Sequence, residues 1–201
     1  MPWIKTIAYE DATGRLKALY DRIKGPGDKV DNIMMVHSLR PHSMEGHMAL
    51  YKHVLHHSAN TVPKWFLETL GVLVSLLNDC GYCVDHHFEG LRRLLGDAER
   101  ANAIRAVLES EQYEDAFDPK EVAALRYAEA LNRTPPVAHE VMVEALRAGG
   151  YDDGEILEIN QVCAYFAYAN RTVLGLGATT EGDVLGLSPG ASDDPDDWSH
   201  R

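Results

Sequence analysis

Apolar residues recur at every third or fourth position along most of the chain, and runs of alternating apolar and polar residues rich in β-branched side chains are scarce. A period near 3.6 puts every apolar position on one face of a helix. The pattern therefore predicts an all-α fold, with helices over roughly 10–24, 31–39, 42–58, 63–77, 80–95, 98–110, 118–132, 137–148 and 153–177. The punctuation agrees with it. Pro41 and Pro63 stand at helix starts, where a missing N–H costs little, "KGPGDK" ends the first helix and "RAGGYDDG" joins the last two.

The chain of 201 residues is the right size for one hydrophobic core, and no internal repeat divides it. The expected organisation is a single helical bundle over residues 1–178, followed by an acidic C-terminal tail over 179–201. That last stretch, with "SPGASDDPDDWSH", is too rich in acid, Pro, Gly and Ser to pack on its own. It is expected to be disordered, or anchored on a neighbouring subunit through Trp198.

Charge narrows the classes of partner. A formal net charge of -12, concentrated toward the C-terminus, excludes a nucleic-acid or anionic-membrane surface, since both need clustered Lys and Arg. No apolar run approaches the ~20 residues that span a bilayer, and the opening residues lack a basic-then-apolar leader. The expected compartment is the cytoplasm. Three cysteines in such a chain do not make a disulfide framework, so their meaning is local.

The chemistry gathers in "NDCGYCVDHH", residues 78–87, expected to open a helix with Asn78 or Asp79 as its N-cap. Cys80 and Cys83 at i and i+3 then lie about 5–6 Å apart at Cβ, close enough to form and break a disulfide with little backbone movement. At about 100° per residue His87 projects between the two sulfurs, and His86 points to the flank. A helix N-terminus, a nearby imidazole and a CxxC partner each lower a thiol pKa, and all three coincide here. Cys163, alone on an apolar helix, reads as a small core residue. A zinc site using Cys80, Cys83, His87 and one of His53, His56 or His57 stays open, as does a redox sensor or disulfide-exchange protein that never turns over a peroxide.

The longer stretch "PKWFLETLGVLVSLLNDCGYCVDHH" resembles the E-x11-C-x-x-C-x3-H signature of the alkylhydroperoxidase AhpD-like proteins of the carboxymuconolactone decarboxylase superfamily, with Glu68, Cys80, Cys83 and His87 in register. "PWIKTIAYEDATGRLKALYDRIKGPGDKVDNIMMVHSLRPHSM" and "EALRAGGYDDGEILEINQVCAYFAYANRTVLGLG" are similar to its uncharacterised peroxidase-related branch. The resemblance implies a thiol-dependent peroxidase. Cys83 attacks the hydroperoxide, Cys80 resolves the sulfenic acid to a disulfide, His87 takes the thiol proton and Glu68 orients His87. It also implies a dithiol or thioredoxin-like reductant, no cofactor or metal, and a trimeric or hexameric assembly. Tyr82 stands where well-studied members carry a histidine; it can hydrogen-bond in a relay, but a pKa of about 10 keeps it protonated at neutral pH. The relay makes one demand on the fold. On one unbroken helix Glu68 and Cys80 would lie about 18 Å apart along the axis, so the chain must break near Asn78 and Asp79.

Overall fold

The computed structural model describes residues 2–133 and 136–201. Among the described residues there are nine α-helices: α1 Gly14–Ile23, α2 Asn32–Met35, α3 Pro41–Leu55, α4 Lys64–Leu77, α5 Gly81–Leu95, α6 Ala98–Ser110, α7 Pro119–Asn132, α8 Glu140–Ala148 and α9 Asp153–Leu176. Extended pairing is confined there to two isolated bridges, His57 with Ser192 and Pro189 with His200. The fold is all-α.

The second helix is much shorter than its apolar spacing suggests. After Met35 the backbone tightens, with His37 N–H donating to Met34 and Ser38 N–H to Met35, each at 3.0 Å, before Pro41 opens α3. These are i→i−3 turns, which do not propagate as an α-helix.

α4 is the hub because it is apolar nearly all round. Phe66, Leu67, Leu70, Val72, Leu73 and Val74 are all buried, and the helix packs on α5, α9, α7, α6 and α3. A helix with no polar face can only be covered on every side. Burying each such side chain stabilises the fold by roughly 1.5–3 kcal/mol before entropy is set against it. Its closest approach is to α9 at Gly71, where a Cβ would lie 2.3 Å from the Phe166 ring. Glycine is what lets those two helices meet.

α4 ends at Leu77 and α5 starts at Gly81. The turn is sharp: Asp79 adopts a left-handed φ of 54°, and the Cys80 N–H reaches back to Ser75 O at 2.9 Å. The N-cap of α5 is Cys80 itself, not Asn78 or Asp79. Asn78 is used otherwise, its amide donating to Asn132 Oδ1 and Asn170 Oδ1, while Asn170 donates in turn to Ser75 Oγ. This interior amide network fixes the hairpin on which the site is built.

The tail corrects the expectation of a disordered or neighbour-bound segment, for it is laid across its own chain. Lys52, fully buried on α3, donates to Gly190 O at 2.6 Å and Ser192 Oγ at 2.8 Å. Arg22 pairs with Asp196 and stacks over the buried Trp198 ring. Gly186, at φ 74°, sits so close that a Cβ would lie 2.9 Å from the backbone of α5 at Gly90. Composition was misleading because the partners of these acidic and glycine residues lie on α1, α3 and α5. Among the described residues no helix is long and apolar enough to cross a membrane.

Candidate functional site

Folding α5 back on α4 brings Glu68 and His87 together. His87 Nδ1 lies 2.7 Å from Glu68 Oε2, and the two side chains are 14% and 3% exposed. The carboxylate accepts the Nδ1 proton, which leaves Nε2 for proton exchange. Phe166 meets the imidazole edge-on at 4.5 Å between centroids and fixes its plane. Gly90 passes directly over Glu68, where a Cβ would lie 3.7 Å from the carboxyl carbon.

Cys80 and Cys83 are both buried and both unbonded. The Cys80 thiol is held down at about 7, chiefly by the Cys83 thiol offering its proton, with Asn170 helping against the cost of burial. The Cys83 thiol is pushed well above its usual range by that same pairing and by burial. The pair thus ionises once with ease, the charge resting on Cys80 at the positive end of α5. Only Cys83 of the two lines the adjoining cavity. Acidity and access therefore fall on different sulfurs.

That cavity measures about 40 Å³ and is walled by Cys83, His87, Asp31, His47, Tyr51 and Tyr165, among others. By the ~10–15 Å³ of such space that one water occupies, it holds about three waters. It adjoins a wider space of about 230 Å³ lined by Lys64, Arg93 and Arg201, with Glu68, Gly90, Gly186 and Ser188 on the shared wall. The folded-back tail supplies part of both.

His86 is not on a flank. It is buried, its ring lies tilted against Tyr82 at 4.6 Å, and its Nε2 lies 3.2 Å from Asp183 Oδ2 on the tail. The helical wheel fails here because the segment that covers this side of α5 comes from a hundred residues away. Tyr82 also lines the cavity; its hydroxyl donates to Asp183 Oδ2 at 2.7 Å and accepts from the Ile33 N–H at 3.1 Å. Cys163 is buried at a distance, its thiol pushed up to about 12 by burial.

Sequence spacing missed the opposite wall. His47 is 2% exposed with Nδ1 unpartnered, and burial pushes it down to about 3. Tyr51 lies 5.4 Å from Tyr165, stacked, and within 6.2 Å of His87. The signal available was the density of histidine and tyrosine on α3, which amphipathicity alone reads as surface. The zinc reading finds no geometry: among the described residues no group of three or more His, Cys, Asp or Glu is placed to hold a metal. His53 and His57 stack on each other instead, and His56 is buried against Tyr51.

Comparisons place the fold among known proteins. The model of the Carboxymuconolactone decarboxylase family matches residues 41–130, which include Glu68, both site cysteines and His87. No curated protein sequence matches the chain. Among solved structures, an AhpD-core, uncharacterized peroxidase-related protein from Ralstonia eutropha JMP134 superposes with a TM-score of 0.74 at 20% identity, covering 92% of this chain and 96% of that one. An uncharacterized peroxidase-related protein from Silicibacter sp. TM1040 gives 0.67 at 23% identity over 75% and 76%. A variant of the debrominase Bmp8 in complex with 2,3,4-tribromopyrrole gives 0.71 at 17% identity over 90% and 92%. Residues 41–130 thus match the Carboxymuconolactone decarboxylase family model, and the chain has the all-helical fold of the AhpD-core protein.

Proposed function

We propose that the protein is a thiol-dependent peroxidase, reducing hydroperoxides with the Cys80–Cys83 pair and a Glu68–His87 proton relay. The observation that carries this reading is the cavity wall shared by Cys83 and His87, with His87 held by Glu68 at 2.7 Å. Cys83 is the attacking sulfur because it faces the cavity. Its proton leaves to Cys80, which it faces, or to His87 Nε2 on the same cavity wall. Attack gives a Cys83 sulfenic acid and an alcohol or water, and Cys80 then expels water to close the disulfide. A dithiol or a thioredoxin-like protein reopens it. Relatives described as peroxidase-related support the assignment.

The test separates the two sulfurs. With tert-butyl hydroperoxide and a dithiol donor, wild type turns over, Cys83→Ser is inert, and Cys80→Ser halts at a sulfenic acid that dimedone traps on Cys83. Absence of any hydroperoxide-driven disulfide in wild type sinks the reading. Disulfide exchange without peroxide turnover is the second reading, favoured by the Cys80 thiol at about 7. It predicts rapid reaction with a disulfide such as oxidised glutathione and none with peroxide.

A further inference from the structure

Cleaving a hydroperoxide needs a base at the sulfur, and it also needs an acid at the departing oxygen. An alkoxide or hydroxide is a poor leaving group, and a positioned proton donor contributes as much as a positioned base. The Glu68–His87 pair serves the first need only. We infer that Asp31 is the acid, donating its proton to the oxygen that leaves when Cys83 breaks the O–O bond. The inference rests on the hydroperoxide reading and adds a residue to it.

Asp31 stands at the N-cap of the short α2 and lines the same cavity as Cys83 and His87. Among the described residues its carboxyl makes no side-chain hydrogen bond, neither as a cap nor to a distant partner. Every other acid or base on that wall is committed or cannot deliver a proton. Glu68 is bound to His87, and His86 and Tyr82 on that wall are both tied to Asp183, which does not line it. Tyr51 and Tyr165 are driven well above their ordinary range, first by burial, which makes them weaker acids. His47 and His200 are held neutral by burial. Burial pushes the Asp31 carboxyl up to about 7, with Asp183 nearby adding to the shift and His86 opposing it. Near neutrality it is therefore protonated in a large share of molecules and strong enough to give that proton up.

The step balances. The Cys83 sulfur gives an electron pair to the terminal oxygen, the S–O bond forms as O–O breaks, and the departing RO⁻ takes the Asp31 proton and leaves as ROH. Sulfur is oxidised by two electrons and the peroxide is reduced by two. The proton taken from Cys83 returns to the Asp31 carboxylate through water in the cavity.

A leaving group that needs no proton separates this role from a structural one. Peracetic acid expels acetate, a weak base, whereas tert-butyl hydroperoxide expels an alkoxide. The measurement is the rate of Cys83 oxidation in full-length wild type, Asp31→Asn and Asp31→Glu with each oxidant. Asp31→Asn should slow the reaction with tert-butyl hydroperoxide by about 10²-fold or more, and with peracetic acid by less than about threefold. Asp31→Glu should recover part of the alkyl rate. Equal slowing with both oxidants, or no slowing with either, overturns the inference while leaving the peroxidase reading intact. If Asp31→Asn loses both through misfolding, Asp31→Glu decides: a selective loss against the alkyl oxidant supports the role, and an even loss overturns it. A wild type whose Cys83 neither oxidant oxidises removes the reading beneath it.

Discussion

His87 Nδ1 and Glu68 Oε2 sit 2.7 Å apart although they belong to different helices, because the three residues between α4 and α5 reverse the chain. The pair sets the imidazole tautomer, so the two residues should fail in graded fashion. His87→Ala removes the base and should slow Cys83 oxidation by about 10²–10⁴-fold. Glu68→Gln keeps the shape but loses the charge that stabilises imidazolium, and should cost about tenfold. Rapid-mixing kinetics on the reduced variants, with circular dichroism to confirm folding, give the order. A larger defect in Glu68→Gln than in His87→Ala would remove the relay.

Thiol titration should be biphasic. Absorbance of thiolate near 240 nm should show one ionisation with a midpoint of about 7, and the second far above the free-thiol value. Cys83→Ser removes the thiol that chiefly depresses Cys80, so the remaining midpoint should rise toward the ordinary range near 8.5. The sign for stability follows. The depressed Cys80 pKa makes the reduced protein more stable as pH rises from about 7 to the unfolded value near about 8.5, and that benefit is lost as pH falls through about 7. Above about 8.5 the raised Cys83 pKa opposes it. A single transition near 8.5 for both thiols would rule out the pairing.

Most of the bundle was legible because burial on one helical face leaves a periodic trace, as it does in α4 through α7 and in α9. Glu68, Cys80, Cys83 and His87 were legible by spacing. What spacing cannot show is which distant segment covers a face. His86 looked peripheral until Asp183 reached it from the tail, and Asp31 and His47 join the cavity wall only once α2 and α3 close it. The Gly71–Phe166 contact is of the same kind, since the need for glycine on α4 is set by a ring 95 residues further on.

Asp183 should be the fastening of the tail. Its side chain is 2% exposed and accepts from Asn32 N–H, Asn32 Nδ2 and Tyr82 Oη, with His86 Nε2 at 3.2 Å. Asp183→Ala strands those donors and should cost about 3–5 kcal/mol, the range for breaking a buried charged network. Limited proteolysis should then cut residues 179–201 before the bundle opens. A tail as resistant as in wild type would show that Lys52 and Trp198 suffice to hold it.

Stability should fall steeply as the protein is acidified below about pH 6.5, and buried histidines set the direction. Burial pushes His47 down to about 3, His200 to about 4 and His56 well below its ordinary value, so all three stay neutral in the fold while the unfolded chain protonates them near 6.5. Asp31 works the other way: raised to about 7, it keeps a proton in the fold that the unfolded chain releases above about 4. Around pH 5 unfolding therefore takes up three protons at the histidines and releases one at Asp31, a net uptake of two from these four groups. Each net proton is worth about 1.4 kcal/mol per pH unit, so the unfolding free energy should drop by up to about 3 kcal/mol for each unit of acidification there. Urea titrations between pH 4.5 and 7 measure that slope. Asp31→Asn removes the opposing proton and should steepen it, whereas His200→Gln should flatten it. A slope of zero or of opposite sign in the wild type would mean that these imidazoles are charged in the fold, and that the wall facing Cys83 is wetter than the geometry allows.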